Sequence, residues 1–205
     1  MRSPGASHAW YVFNFFLLTF LLFPEPTLSQ GTASVAPADL NYLVDNAHTI
    51  VRGHVVSAVL QPHPQFENLQ TVLVTFAVAK TLKGQANSTV TFRQFVWDLR
   101  DATKSGGYHK SEELLLFLNP TSTYGLTSPV GMDQGRFRVI RDNRGNGVAI
   151  NGRANVGLFF NVVPKATSRG VAFSPQAKAM LSSTGGQVSL EILEEAIQAL
   201  VAKVP

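Results

Sequence analysis

Cysteine is absent from all 205 residues of the chain. Its absence excludes structural disulfides, thiolate zinc sites, a cysteine nucleophile and a lipidated N-terminal cysteine. Charged residues are also scarce, at 15%, whereas 45% of the residues are hydrophobic. This composition predicts a folded domain that depends on an apolar core rather than on cross-links.

The net charge is small and positive, with 17 Lys and Arg residues against 13 Asp and Glu residues, or +4. An excess of this size favours encounters with anionic partners. It is too small to be typical of a nucleic-acid-binding protein, so we expect no nucleic acid among the partners.

Only one long apolar run occurs near the N-terminus, Tyr11–Phe23, and it follows the cation Arg2. A run of this length spans about 20 Å as a helix, less than the roughly 30 Å of a bilayer's hydrocarbon core. Pro24 and Pro26 then interrupt the helix. The pattern predicts a secretory signal peptide over residues 1–30 and therefore an exported protein, periplasmic or secreted.

Small residues suited to a signal peptidase follow the prolines. Cleavage after Ser29 is the first choice and cleavage after Ala33 the second. An uncleaved membrane anchor is the alternative, but Asn14 and the prolines make the run a poor span. We therefore expect no stable transmembrane span after cleavage.

The remaining chain is interpreted as a linker over residues 31–37 and one domain over residues 38–205. A short helix is predicted at 36–46, and from residue 49 apolar side chains recur at every second position. In this first strand, Val51, Val55 and Val59 share one face, with Arg52 and His54 on the other. Further strands are predicted at 72–83, 89–96, 114–118, 135–141, 148–151 and 158–163.

The turn between the strands at 135–141 and 148–151 is rich in residues that tolerate positive φ, which indicates a hairpin. At the C-terminus, Ser189 is placed to cap an amphipathic helix over 189–203. The pattern as a whole predicts a mainly β fold with flanking helices, built on a curled antiparallel sheet or small antiparallel β-barrel.

Four segments carry a resemblance to a known group. They are IVRGHV (50–55), VAKTLKG (78–84), EELLLFL (112–118) and SPVGMDQGRFRV (128–139). Together they resemble uncharacterised exported bacterial β-proteins. The first three are also similar to the OB-like barrel of netrin and metalloprotease-inhibitor modules, which implies an OB-like topology. Protease inhibition by that family depends on an N-terminal cysteine, so the resemblance implies no inhibitory activity for this chain.

No catalytic or metal-binding constellation is visible. His48 and His54 are too far apart along an extended strand to share a metal, and His63 and His109 lie in separate predicted loops. We interpret them as four unrelated surface or edge histidines and expect no metal and no cofactor. No G-x-S-x-G motif occurs, and the neighbours Glu112 and Glu113 point to opposite strand faces, so they cannot act as facing carboxylates.

A basic cluster is the strongest binding candidate. It comprises Arg136, Arg138, Arg141, Arg144 and Arg153. Alternation places the first two on one solvent face of the hairpin, where guanidinium groups suit carboxylates or phosphates. The alternative is a solvated outer face that discourages edge-to-edge aggregation. Trp97 is a second candidate, because a tryptophan in a loop either anchors a partner or covers the end of a barrel.

We therefore expect an exported, non-catalytic binding module whose partner is a protein or an anionic component of the cell envelope. An exported hydrolase is one alternative, and convergence of His54 with Asp98 or Asp101 near a pocket would favour it. A structural or assembly component of the envelope is another, and an exposed apolar patch on the terminal helix would favour that.

Overall fold

The computed structural model describes residues 36–96 and 105–203. The strands are β1 (Thr49–Pro62), β2 (Gln70–Lys83), β3 (Thr89–Phe95), β4 (Glu113–Leu118), β5 (Arg136–Arg141), β6 (Gly147–Asn151) and β7 (Val188–Ser189). The helices are α1 (Leu40–Asn46), α2 (Val162–Ser168), α3 (Pro175–Leu181) and α4 (Leu190–Val201). The described residues form one compact unit.

The seven strands form one antiparallel sheet in the order β3-β2-β1-β4-β5-β6-β7. β4 lies in the middle, and every residue of it is buried. Leu115 and Phe117 point into a core shared with the helices, whereas Leu114, Leu116 and Leu118 point into a second core on the opposite face. An uninterrupted apolar run is what a strand buried on both faces requires.

The second core is enclosed by curvature of the long β1–β2 hairpin. The pairing of β1 with β2 shifts register at three places. Such irregularities bend a strand and increase its twist. Gly53 lies at one of them, and a Cβ atom at this position would be 1.9 Å from the carbonyl oxygen of Ala77. The close approach of the two backbones therefore requires glycine here.

The helices cover the other face. α4 buries Leu193, Ile197 and Leu200 completely, as its amphipathic pattern predicts. Its first turn is capped by the Ser189 hydroxyl, and the first turn of α1 by the Asp39 carboxylate, which accepts from the Tyr42 amide at 2.8 Å. These caps satisfy backbone N–H groups that have no partner within the helix.

Most of the sequence-based fold is confirmed: a mainly β domain with flanking helices, a central strand at 114–118, the 136–151 hairpin and the C-terminal helix. The sheet is not closed into a barrel, because β3 and β7 lie at opposite ends of the strand order. Val59 was predicted to share a face with Val51 and Val55 but is 52% exposed, because the register shift between Val55 and Ser57 adds one residue to β1 and turns Ala58 instead of Val59 toward the second core. None of the helices in the described part of the chain is long and apolar enough to cross a membrane.

The strand predicted at 158–163 is wrong. Residues 152–161 form successive turns and lead into α2. Asn155 is fully buried at the centre of these turns. Its Oδ1 accepts from the Asn151 amide at 2.9 Å, and its Nδ2 donates to the carbonyl oxygens of Ala149 at 3.1 Å and Gly186 at 2.7 Å. These bonds and the left-handed φ of 59° at Asn155 favour turns over an extended chain.

We expect Asn155→Ala to lower the free energy of unfolding by about 3 kcal/mol, because it leaves buried backbone groups without partners and places alanine at positive φ. Urea denaturation followed by circular dichroism measures this. Asn143→Ala, in the exposed hairpin turn, is the matched control and should change stability by less than about 0.5 kcal/mol. Equal losses in both variants would contradict a supporting role for the Asn155 amide.

Candidate functional site

The basic cluster is divided by the alternation of β5. Arg136 and Arg138 point to one face of the sheet, as predicted. The guanidinium group of Arg136 lies over the Tyr108 ring, 4.9 Å from its centroid, and donates to the Gly106 carbonyl at 2.9 Å and to Asp133 at 2.6 Å. Arg136 is therefore held in place by its neighbours.

Arg138 is held much less tightly. Its side chain is 66% exposed, and the distance from its Nε to Glu112 Oε1 is 3.6 Å. That distance is too long for a hydrogen bond, so the ion pair is a loose one. The other carboxylate oxygen of Glu112 accepts from the His109 amide at 3.3 Å. Arg138 thus keeps most of its donors available to solvent.

The two arginines border a cavity of about 180 Å³, which we call the basic cavity. Its wall also includes His109, Glu112, Leu114 and the backbone of two glycines, Gly107 and Gly152. Tyr108 is not part of this wall but packs against Arg136; its hydroxyl donates to Gln94 Oε1 at 2.7 Å, and burial raises the pKa of Tyr108 above its ordinary value. The cavity itself is lined by two arginines and one carboxylate, Glu112.

Arg141 lies on the opposite face, toward the helices. Its Nε donates to Glu113 Oε2 at 2.6 Å and its Nη2 to Glu113 Oε1 at 2.7 Å, which is a bidentate contact. Glu113 itself is only 8% exposed. Because Glu113 shares a strand face with Leu115 and Phe117, its carboxylate sits at the margin of the helix-side core.

This contact belongs to a larger charge network formed by Arg52, Lys80, Glu113, Arg141 and Glu194. Arg52 donates to Glu113 at 2.8 Å and to Glu194 at 2.6 Å, and Lys80 donates to the other oxygen of Glu194 at 2.6 Å. Glu194 is 6% exposed. The network links four strands to α4 and satisfies both buried carboxylates, as buried charges require.

The hydrogen bond from Arg141 is the largest cause that lowers the pKa of Glu113 below its ordinary value of 4.5. The hydrogen bond from Arg52 lowers it further, while burial of the carboxyl opposes both. Glu113 is therefore held as a carboxylate. It serves as an anchor for two arginines rather than as a proton donor.

His54 tests the hydrolase alternative. Its Nε2 lies 4.0 Å from Glu113 Oε2, and the ring is about half exposed. Glu113 already accepts bonds from two arginines, so little of its capacity remains to orient a histidine base. Asp98 and Asp101 lie outside the described residues. The hydrolase interpretation stays a prediction.

The other predicted site residues do not line the basic cavity or lie outside the residues that the structure describes. Arg144 is exposed in the β5–β6 turn, and Arg153 is exposed just after β6. Trp97 lies outside the described residues. On α4 the exposed positions hold Glu191, Glu195 and Gln198. The terminal helix therefore presents a polar surface and lends no support to the envelope-component alternative.

One histidine differs from its interpretation. His63 is buried, whereas a surface or edge position was expected. Its Nδ1 accepts from the Gln65 amide at 3.1 Å, so its Nε2 carries the proton and donates to the Tyr124 carbonyl at 2.7 Å. It thereby ties the β1–β2 hairpin end to the loop at 119–128. Among the described residues, no group of three or more side chains could hold a metal ion.

Sequence reasoning missed the charge network. The partners of Arg52 lie 61 and 142 residues away, and no local pattern pairs them. One signal was available, because Glu194 falls within the apolar stripe of the terminal helix between Leu190 and Ile197. A carboxylate on a buried face needs a cation, and Arg52 on a strand face was a candidate.

We expect Glu113→Gln to lower the free energy of unfolding at pH 7 by about 2 kcal/mol, since the buried carboxylate loses its charged hydrogen bonds to two partly exposed arginines. The wild type should also lose stability in acid. Because folding lowers the pKa of Glu113, its contribution is complete above the unfolded-state pKa and disappears as the pH falls through the folded-state pKa. Denaturation midpoints between pH 7 and pH 2 measure both effects.

Glu195→Gln is the matched control, because Glu195 is exposed on the same helix as Glu194. It should leave stability and its pH dependence nearly unchanged. A Glu113→Gln variant as stable as this control, with the same loss of stability in acid as the wild type, would show that the Glu113 carboxylate contributes nothing to the fold.

Comparisons with protein-family models, with curated proteins and with solved structures found no match. The resemblance to exported bacterial β-proteins and to netrin-like modules therefore stays a prediction, and the functional argument depends on the geometry of this chain.

Proposed function

We propose that this chain is an exported, non-catalytic binding module that docks an anionic group of a partner at Arg138, at the rim of the basic cavity. The partner is a protein or an anionic component of the cell envelope. The observation that carries the proposal is the exposed, loosely paired guanidinium group of Arg138 beside a cavity whose other cation is fixed.

The size of the cavity favours binding of a single charged group of a larger partner over binding of a whole small-molecule ligand. Pockets for drug-sized ligands usually measure about 300–1,000 Å³. The basic cavity, at about 180 Å³, fits a carboxylate or phosphate head. A guanidinium fork binds such groups through two parallel N–H donors, and His109 at the rim adds a third polar group. The rest of the partner would lie over the open face of the hairpin.

Electrostatics favour Arg138 over Arg136 and Arg141. Arg141 is committed to Glu113, and Arg136 to Asp133 and Tyr108. An arriving anion would need to break those contacts, whereas at Arg138 it competes only with a 3.6 Å ion pair to Glu112. An exposed pair of that kind contributes about 0–1 kcal/mol.

The proposal includes export of this chain through an N-terminal signal peptide. Its support is the sequence at the N-terminus, a cation, an apolar run too short to span a bilayer, and two prolines. The absence of cysteine is compatible with export because the domain holds itself together through its cores.

We also propose that the first five strands form a partly open OB-like barrel. Two observations support this. Tyr108 contacts both outer strands, because its hydroxyl donates to Gln94 of β3 and its ring lies under Arg136 of β5, and an isolated bridge joins Arg93 of β3 to Leu126 in the segment between β4 and β5. OB-folds are five-stranded and partly open in the same manner. The second core would be the barrel interior.

The test uses Arg138→Glu, with Arg144→Glu as the matched control, because both arginines are exposed on the hairpin. Substitution of Arg136 or Arg141 is avoided because both stabilise the fold. Inorganic phosphate is titrated while amide resonances are followed by NMR. In the wild type and the control, shifts should centre on Gly107, His109 and Gly152, whereas Arg138→Glu should abolish them.

Crosslinked capture from envelope and secreted fractions with the same three proteins then identifies the partner. A partner held by wild type and control but lost by Arg138→Glu supports docking at the basic cavity. A partner retained equally by all three, together with phosphate shifts elsewhere, would refute it.

A further inference from the structure

Two further cavities adjoin the basic cavity in a row. Arg136 lines both the basic cavity and a small cavity of about 70 Å³, which we call the middle cavity. Gln94, Phe95 and Met132 line both the middle cavity and a third cavity of about 350 Å³, which we call the neutral cavity. Since neighbouring cavities share walls, the three form one cleft that leads away from Arg138.

The neutral cavity differs from the basic cavity in its charge. Phe95, Pro120, Leu126 and Met132 supply apolar walls, and none of the described residues that line it is charged. Its volume of about 350 Å³ falls within the range of about 300–1,000 Å³ that is usual for ligand pockets. The cleft therefore has its cations at one end and an uncharged, partly apolar site at the other.

Two side-chain amides of the neutral cavity keep hydrogen-bonding atoms available. Gln94 Oε1 accepts from the Tyr108 hydroxyl at 2.7 Å, whereas its Nε2 donates to no group in the described part of the chain. Asn119 Nδ2 donates to the carbonyl and hydroxyl oxygens of Ser128 at 3.0 and 3.3 Å, whereas its Oδ1 accepts from none of the described residues. The cavity thus offers one donor and one acceptor, which is what the C=O and N–H groups of a peptide need.

The middle cavity contains a carboxylate. Asp133 lines it together with Arg136, and the two side chains pair at 2.6 Å, but the Asp133 side chain is 62% exposed. An occupant with a negative charge on every repeat, such as an acidic polysaccharide, would bring further anions close to Asp133, which weakens binding. The cleft therefore suits an occupant with a single anionic group at Arg138 and neutral groups beyond it.

We infer that the occupant of this cleft is an extended peptide segment of a partner protein, with one acidic side chain at Arg138 and an apolar side chain in the neutral cavity. The inference rests on the proposed anion site and narrows its partner to a protein. Backbone groups next to the apolar side chain would bond to Gln94 and Asn119. An acyl chain would instead cover both amides and leave them without partners, which is unfavourable.

The arrangement of the cleft also sets the spacing of the two side chains. Arg136 and Arg138 are two positions apart on β5, a distance of about 7 Å. The middle cavity then follows before the neutral cavity begins. An extended peptide advances about 3.3 Å per residue, so at least about three positions should separate its acidic side chain from its apolar one.

The test selects random octapeptides displayed on phage against residues 30–205, the chain that remains after cleavage at Ser29. We expect enriched sequences to share one Asp or Glu and an apolar residue at least about three positions away, in either direction. A synthetic copy of one enriched peptide is then titrated by calorimetry. Arg138→Glu and Gln94→Glu should each weaken its binding at least roughly tenfold, because they remove the cation for the acidic side chain and the donor for the peptide carbonyl.

The variants also distinguish this inference from the anion site itself. Gln94→Glu keeps an oxygen that accepts from Tyr108, so the fold should persist, and thermal denaturation verifies this. Gln198→Glu adds the same charge at an exposed position of α4 and is the matched control, which should bind the peptide as the wild type does. With inorganic phosphate, Gln94→Glu should still show the wild-type amide shifts at the basic cavity, whereas Arg138→Glu should not.

Phosphate binding at the basic cavity without enrichment of any peptide would overturn the peptide inference and leave the anion site intact. Enriched peptides with several acidic residues and no apolar one would also overturn it, as would peptides that bind Gln94→Glu as tightly as the wild type. An absence of phosphate shifts in the wild type would refute the anion site on which the inference depends.

Discussion

Burial of β4 on both faces is the constraint on which the rest of the domain depends. A strand with Leu114, Leu116 and Leu118 on one side and Leu115 and Phe117 on the other needs two apolar layers. Four helices supply the first layer, and the curled β1–β3 sheet supplies the second. Polar side chains are thereby confined to the ends of β4, where Glu112 precedes the strand and Glu113 is its first residue.

The hairpin that follows β4 uses its arginines for two different purposes. Arg141 neutralises a buried carboxylate and so belongs to the fold, whereas Arg138 on the opposite face pairs loosely and remains exposed. Alternation along a strand is sufficient to separate these roles. The same residue type in one short strand therefore stabilises the domain at Arg141 and stays exposed at Arg138, three positions earlier.

Local patterns predicted the strands well, because alternation and turn-forming residues act over a few positions. They failed at 158–163, where apolar residues resemble a strand but Gly157 and the left-handed Asn155 and Asn161 impose turns. They also failed for the site. The wall of the cavity beside Arg138 includes Gly107 and His109, which lie in the segment before β4. No sequence spacing predicts that this segment lies beside the β5–β6 hairpin.

The strand order has a consequence for the rate of folding. The sheet consists of two meanders, β1–β3 and β4–β6, whose strands are neighbours in sequence and can pair early. They are joined by the pairing of Thr49–His54 with Glu113–Leu118. This step closes a long loop, because Arg52 and Glu113 are 61 positions apart in sequence. The entropic cost of the closure precedes any gain from the helix-side core. We expect this closure to limit the folding rate. The ion pair between Arg52 of β1 and Glu113 of β4 should form only after the two meanders have paired.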